Sequence, residues 1–206
     1  MIKKNNFEEF MMDATAKAFL DDTQFILFGD GGFAKEVKWL MQTTGIKNIE
    51  QKHYISYLKY YDNPMLVIGI GNPSLKEKIY SDYKDYPFPS IISNDFIKGK
   101  VEVGDGNIIC AGNIWTTDII VGDCNAFNLG CTVGHDVKIG NYNQINPSVN
   151  ISGKVTIGNK CLIGTGVQIL ENITIGNNIT IGAGAVVTKD LIESGTYVGI
   201  PAKKII

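Results

Sequence analysis

His135 is one of only two histidines in the 206-residue chain, and it stands beside an acid in Thr132-Val133-Gly134-His135-Asp136. An unperturbed imidazole titrates near 6.5, so it can accept a proton close to neutral pH. A positioned imidazole typically speeds a proton-coupled transfer by about 10²–10⁴-fold. The competing role is a solvated surface histidine, which the position alone favours. A second constellation is Gly29-Asp30-Gly31-Gly32, directly after the apolar run Phe25-Ile26-Leu27-Phe28. Gly29, Gly31 and Ala34 partly satisfy the dinucleotide fingerprint Gly-x-Gly-x-x-Ala. Free N–H groups at a helix start favour phosphate. By itself this signal is weak, because the surrounding region is too short for a complete Rossmann pair of halves. Glu50 follows about twenty residues later, the spacing of a ribose-binding acid, but no clear strand holds it.

The elements that must position these residues fall into three regions. Residues 1–22 read as a helical extension, with Phe7, Phe10, Met11, Ala14, Ala18 and Phe19 at helical spacing. Residues 23–90 read as a small α/β domain. In it, strand 25–28, the glycine turn and a helix over 33–43 are followed by strand 65–70, Gly71-Asn72-Pro73 and a helix over 74–83. Ser74 with Glu77 has capping-box spacing.

Residues 91–206 are a repeat. Every sixth residue from Ile91 through Ile97, Val103, Ile109 and Trp115 to Val187 is apolar, seventeen positions in all. At 44% apolar composition chance gives such a run roughly once in a million trials. Glycine follows at Gly104, Gly122, Gly134, Gly140 and later equivalents. Each hexad supplies one short strand and one corner, so three close a triangular coil of eighteen residues, about five coils in all. Asn107, Asn125 and Asn143 are eighteen apart and are expected to stack as a ladder. Gly153 lies eighteen residues after His135, one coil beyond it. The phase puts His135 at a corner outside the core. A β-sandwich would show period-two alternation and fits poorly.

Composition narrows the rest. A formal net charge of −2 gives no basic footprint for nucleic acid. No run reaches the roughly 18 apolar residues of a membrane span, and no signal peptide is evident. Cys110, Cys124, Cys131 and Cys161 lack metal or disulfide spacing and read as core residues of a cytoplasmic protein; no metal is expected.

With its glycine-turn α/β domain, Gly134-His135-Asp136 about 70 residues from the end, and the closing Tyr197-Val198-Gly199-Ile200-Pro201-Ala202-Lys203, the chain resembles a known family over residues 24–206. These are the hexapeptide-repeat bacterial sugar acetyltransferases: sialic-acid O-acetyltransferase-like proteins and the N-acetyltransferases of nucleotide-linked 4-amino sugars. The resemblance implies a Rossmann-like α/β domain followed by a left-handed parallel β-helix, a homotrimer with sites between subunits, and acetyl-CoA as donor. It makes His135 the general base and Asp136 its orienting acid. It implies a backbone contact from Gly153 near the acetyl end of CoA, a sugar contact from Asn128, and a pantetheine lane along Thr165, Gly166, Ala183 and Gly184. Lys203, with Lys204, would meet CoA phosphates. Gly29, Asp30, Gly31, Gly32, Gly71 and Asn72 would hold the nucleotide. Phe33 stands where several relatives carry histidine, which leaves amine or hydroxyl as acceptor. The implied function is acetylation of a nucleotide-linked sugar for surface-glycan (polysaccharide) synthesis. The alternatives are O-acetylation of a free sugar such as sialic acid, a non-catalytic β-helix scaffold and, more remotely, a nicotinamide oxidoreductase.

Overall fold

Strand β1 (Phe25–Phe28) is buried at every residue because it is the centre of a three-stranded parallel sheet. β2 (Ile49–Lys52) and β3 (Met65–Ile68) flank it in the order β2-β1-β3. Alternation along the strands divides the core in two. Phe25, Leu27 and Val67 pack under helix α1 (Gly32–Thr43), against Val37, Leu40 and Met41. Ile26, Phe28, Leu66 and Ile68 face helix α2 (Pro73–Asp82), meeting Ile79. This computed structural model describes residues 22–52, 58 and 61–205. Apart from Asp22, the helix expected over residues 1–22 lies outside the described residues.

Two local expectations are corrected. Glu50 does sit on a strand, β2, whose residues Ile49-Glu50-Gln51-Lys52 are only half-buried at the sheet edge. Its carboxylate pairs with Lys52 and accepts from the Tyr61 hydroxyl at 2.8 Å. α2 is capped by Asn72, whose side chain accepts from Leu75 N at 3.0 Å, and not by Ser74. Proline at position 73 suits the first helical turn, where its missing N–H is not needed.

From Ile91 the chain winds into a left-handed parallel β-helix with three faces. One face stacks Ile108–Ile109, Ala126–Phe127, Gln144–Ile145, Leu162–Ile163 and their successors. The second stacks Ile114–Trp115, Thr132–Val133, Asn150–Ile151 and Gln168–Ile169. The third stacks Ile119–Val121, Lys138–Ile139, Thr156–Ile157 and Thr174–Ile175. The last residue of each of these strands points inward to a continuous core. The inner asparagines form the expected ladder: Asn107 Oδ1 accepts from Asn125 N at 2.9 Å, and Asn125 Oδ1 from Asn143 N at 2.9 Å. A second ladder runs the opposite way through Asp105, Asp123, Asn141, Asn159 and Asn177.

The hexad phase fails in the first coil. Ile97 pairs with Ile114, not Trp115, and is 62% exposed. Ile91 pairs with Ile108 and packs on the α/β core, while Ile92 contacts the β-helix core. The chain there is one residue short: three residues lie between Ile97 and Val101, where four lie between their partners Ile114 and Ile119. Phe96 fills the inward place, edge-on to Trp115. At the other end Leu191 and Tyr197 close the core.

All four cysteines are free and buried. Burial pushes the Cys131 and Cys161 thiols up to about 11 and Cys110 to about 12, so they stay protonated. Among the described residues, no helix is long and apolar enough to cross a membrane.

Candidate functional site

The turn between the second and third faces holds His135. Asp136 takes φ +59° there, and the equivalent corner residues Asp118, Lys154 and Asn172 do the same, so the conformation belongs to the coil. His135 Nδ1 lies 2.7 Å from Asp136 Oδ2. An ionised carboxylate can only accept, so the neutral ring carries its proton on Nδ1 and presents the Nε2 lone pair. The ring lies flat on the next coil: a Cβ at Gly153 would sit 2.6 Å from Nε2. His135 O also accepts from Lys154 N at 2.8 Å, tying the two coils together. His135 and Asp136 side chains are 58% and 53% exposed, so the corner is open in the single chain.

The glycine loops build a different place. Gly29 has φ +119°, and a Cβ on it would lie 2.7 Å from Gly69 O. Only glycine allows the ends of β1 and β3 to approach so closely. Beyond them opens a crevice of about 450 Å³. Gly29, Asp30, Gly31, Gly32, Phe33 and Gly71 line one side; Leu75, Lys78, Asp82 and Tyr83 of α2 and the turn after it line the other. This is the carboxyl edge of a parallel sheet, where open α/β folds bind ligands. No side chain caps α1, and its first turn carries no acid, which leaves its N–H groups for an anion. Gly71 belongs to this crevice; the Asn72 side chain serves its own helix.

Asn128 is buried at the seam between the domains. Its Nδ2 donates to Glu36 Oε2 at 3.2 Å and its Oδ1 accepts from Leu129 N at 2.7 Å. Thr165, Gly166, Ala183 and Gly184 stack at the corner between the first and second faces, with Gly184 N donating to Thr165 O at 2.8 Å. They form a lane of small residues, exposed except at the half-buried Gly166. Lys203 is exposed on the terminal hairpin, whereas Lys204 pairs with Glu193. One chain therefore holds the imidazole, the crevice and the small-residue lane on separate edges.

Sequence reading missed the residues that dock the domains. Lys76 of α2 is 1% exposed and donates to Asn143 O and Gln144 Oε1, both at 2.9 Å. Burial pulls its amine down to about 7. Glu77 pairs with Lys160 at 3.1 Å. The only sequence signal was a lysine at an apolar position of an amphipathic helix. Among the described residues, no cluster of three His, Cys, Asp or Glu is placed to hold a metal.

Residues 154–189 match the family model of the bacterial transferase hexapeptide, six repeats. A search of curated proteins finds no significant match. Solved structures match nine-tenths of the chain. WeeI from Acinetobacter baumannii is 27% identical with a TM-score of 0.82, covering 89% of this chain and all of that one. PerB from Caulobacter crescentus, solved with CoA and GDP-perosamine, is 25% identical with a TM-score of 0.83, covering 89% and 98%. The acetyltransferase domain of PglB from Neisseria gonorrhoeae, solved with acetyl coenzyme A, shares the fold at 24% identity and a TM-score of 0.83, covering 89% and 100%. The repeat over residues 154–189 is thus that of the bacterial hexapeptide transferases, and the two-part architecture is similar to that of these solved acetyltransferases.

Proposed function

We propose that this acetyltransferase moves an acetyl group from acetyl-CoA directly to the amine, or a hydroxyl, of a nucleotide-linked sugar, with His135 as general base. The observation that carries the reading is the His135 ring, held by Asp136 at Nδ1 and turned with Nε2 over Gly153. The thioester is already activated, so no enzyme nucleophile is needed, and the buried protonated cysteines supply none. Nε2 takes the proton of the acceptor nitrogen as that nitrogen bonds to the acyl carbon. The C–S bond breaks, and the proton passes from His135 to the departing sulfur. Asp136 stabilises the imidazolium in between.

The crevice at Gly29–Gly32 and Gly71 suits a nucleoside diphosphate, with the uncapped start of α1 meeting phosphate. The lane of Thr165, Gly166, Ala183 and Gly184 suits a pantetheine arm, with Lys203 near its phosphates and Gly153 beside its acyl end. Asn128 lies between crevice and β-helix on the sugar's path. These parts occupy separate edges of one chain, which favours a homotrimer in which neighbouring copies complete each site. The product would serve surface-glycan synthesis. The test is CoA release from acetyl-CoA over a panel of nucleotide 4-amino sugars and free sialic acid. Turnover with the amino sugars supports the reading. Turnover with sialic acid alone replaces the acceptor, and none with any sugar leaves a β-helix scaffold.

A further inference from the structure

Glu36 is an exposed carboxylate of α1 whose contact across the domain seam, among the described residues, is with a neutral group. It projects from α1 one turn past Gly32, about 6 Å along the axis at 1.5 Å per residue. Its Oε2 takes the Asn128 amide at 3.2 Å, which fixes the side chain across the domain boundary. Among the described residues Glu36 has no cationic partner, and its Oε1 accepts no hydrogen bond. Glu77, by contrast, is neutralised by Lys160, and Lys76 is enclosed by carbonyl oxygens.

We infer that Glu36 selects the acceptor: its carboxylate receives hydroxyl or amine hydrogens of a neutral or amino sugar and rejects a sugar acid. The inference rests on the nucleotide-sugar reading of the crevice. A phosphate at the first N–H groups of α1 leaves the attached sugar one helical turn from Glu36, the span of a single ring. A carboxylate there can only accept. Hydroxyls and protonated amines therefore satisfy its free oxygen, while a sugar carboxylate meets like charge. Asn128 acts through it as a positioning residue, since its Nδ2 is directed at Glu36 and its Oδ1 at Leu129 N.

Glu36→Gln separates selection from tethering, because a glutamine oxygen still accepts from Asn128 Nδ2 while the charge is gone. The experiment measures binding of UDP-glucose against UDP-glucuronic acid, and of GDP-mannose against GDP-mannuronic acid, to the full-length wild type and variant. The wild type is expected to prefer the neutral member of a pair by about tenfold or more. Glu36→Gln is expected to shrink that ratio several-fold with the melting temperature unchanged. An equal ratio in wild type and Glu36→Gln overturns the inference. So does a change seen only in Glu36→Ala, which would make Glu36 a tether alone, and so does failure of both pairs to bind. Wild-type CoA release with nucleotide 4-amino sugars, run alongside, reports separately on the acetyl-transfer reading.

Discussion

The β-helix and the α/β domain solve positioning in opposite ways. In the β-helix each residue's environment follows from its place in an eighteen-residue coil, and the same hydrogen bond recurs from coil to coil. His135 and the adjacent Gly153 both depart from Thr117 and Glu171, the other residues of their corner column. In the α/β domain nothing recurs. The crevice depends on single events: the close approach at Gly29, the Asn72 cap, and the Lys76 clamp. A repeat makes a rigid ruler on which one substitution places an imidazole. A small sheet makes a pocket that must be docked on that ruler by side chains used once.

The largest way to sharpen this contrast is Gly153→Ala. The added methyl would occupy the place of the His135 ring, so acetyl transfer is expected to fall about 10²–10⁴-fold, with melting nearly unchanged. Next is Asn125→Ala at the centre of the ladder. It strands Asn143 N and Gly140 O, costing about 3 kcal/mol, or a melting temperature lower by roughly 6–12 °C. Lys76→Met tests the clamp through pH. An amine at about 7 when folded and near 10.4 when unfolded means that the unfolded chain binds more protons between those values. Stability from this group therefore rises with pH across that window, by at most about 1.4 kcal/mol per unit. Denaturant titrations at pH 7 and 8.5 should show wild type gaining stability relative to Lys76→Met, the four thiols contributing alike to both proteins. Glu77→Ala comes last. It removes a half-exposed ion pair and should cost less than about 1 kcal/mol in the same titration.

Where the molecule repeats, the sequence was legible. From Val103 onward the hexad phase placed the core, the Asn107–Asn125–Asn143 ladder and Gly153 above His135. The Asp105–Asn177 ladder obeys the same eighteen-residue count and was available to it. Ile97 misled because an isoleucine fits the apolar pattern whether it points in or out, and a one-residue deletion at a corner leaves no mark in composition. β2 was missed because an edge strand needs no apolar alternation. Glu36 and Lys76 were invisible for a different reason: their partners lie 92 and 68 residues away on another domain.

The proposed catalysis rests on the imidazole stacked over Gly153. The direct test compares acetyl-CoA consumption by wild type, His135→Ala, Gly153→Ala and the double variant, with a confirmed sugar acceptor. Residues acting as one unit are not additive, so each single variant should lose about 10²–10⁴-fold and the double variant little more than His135→Ala alone. An unchanged rate in His135→Ala would contradict the account.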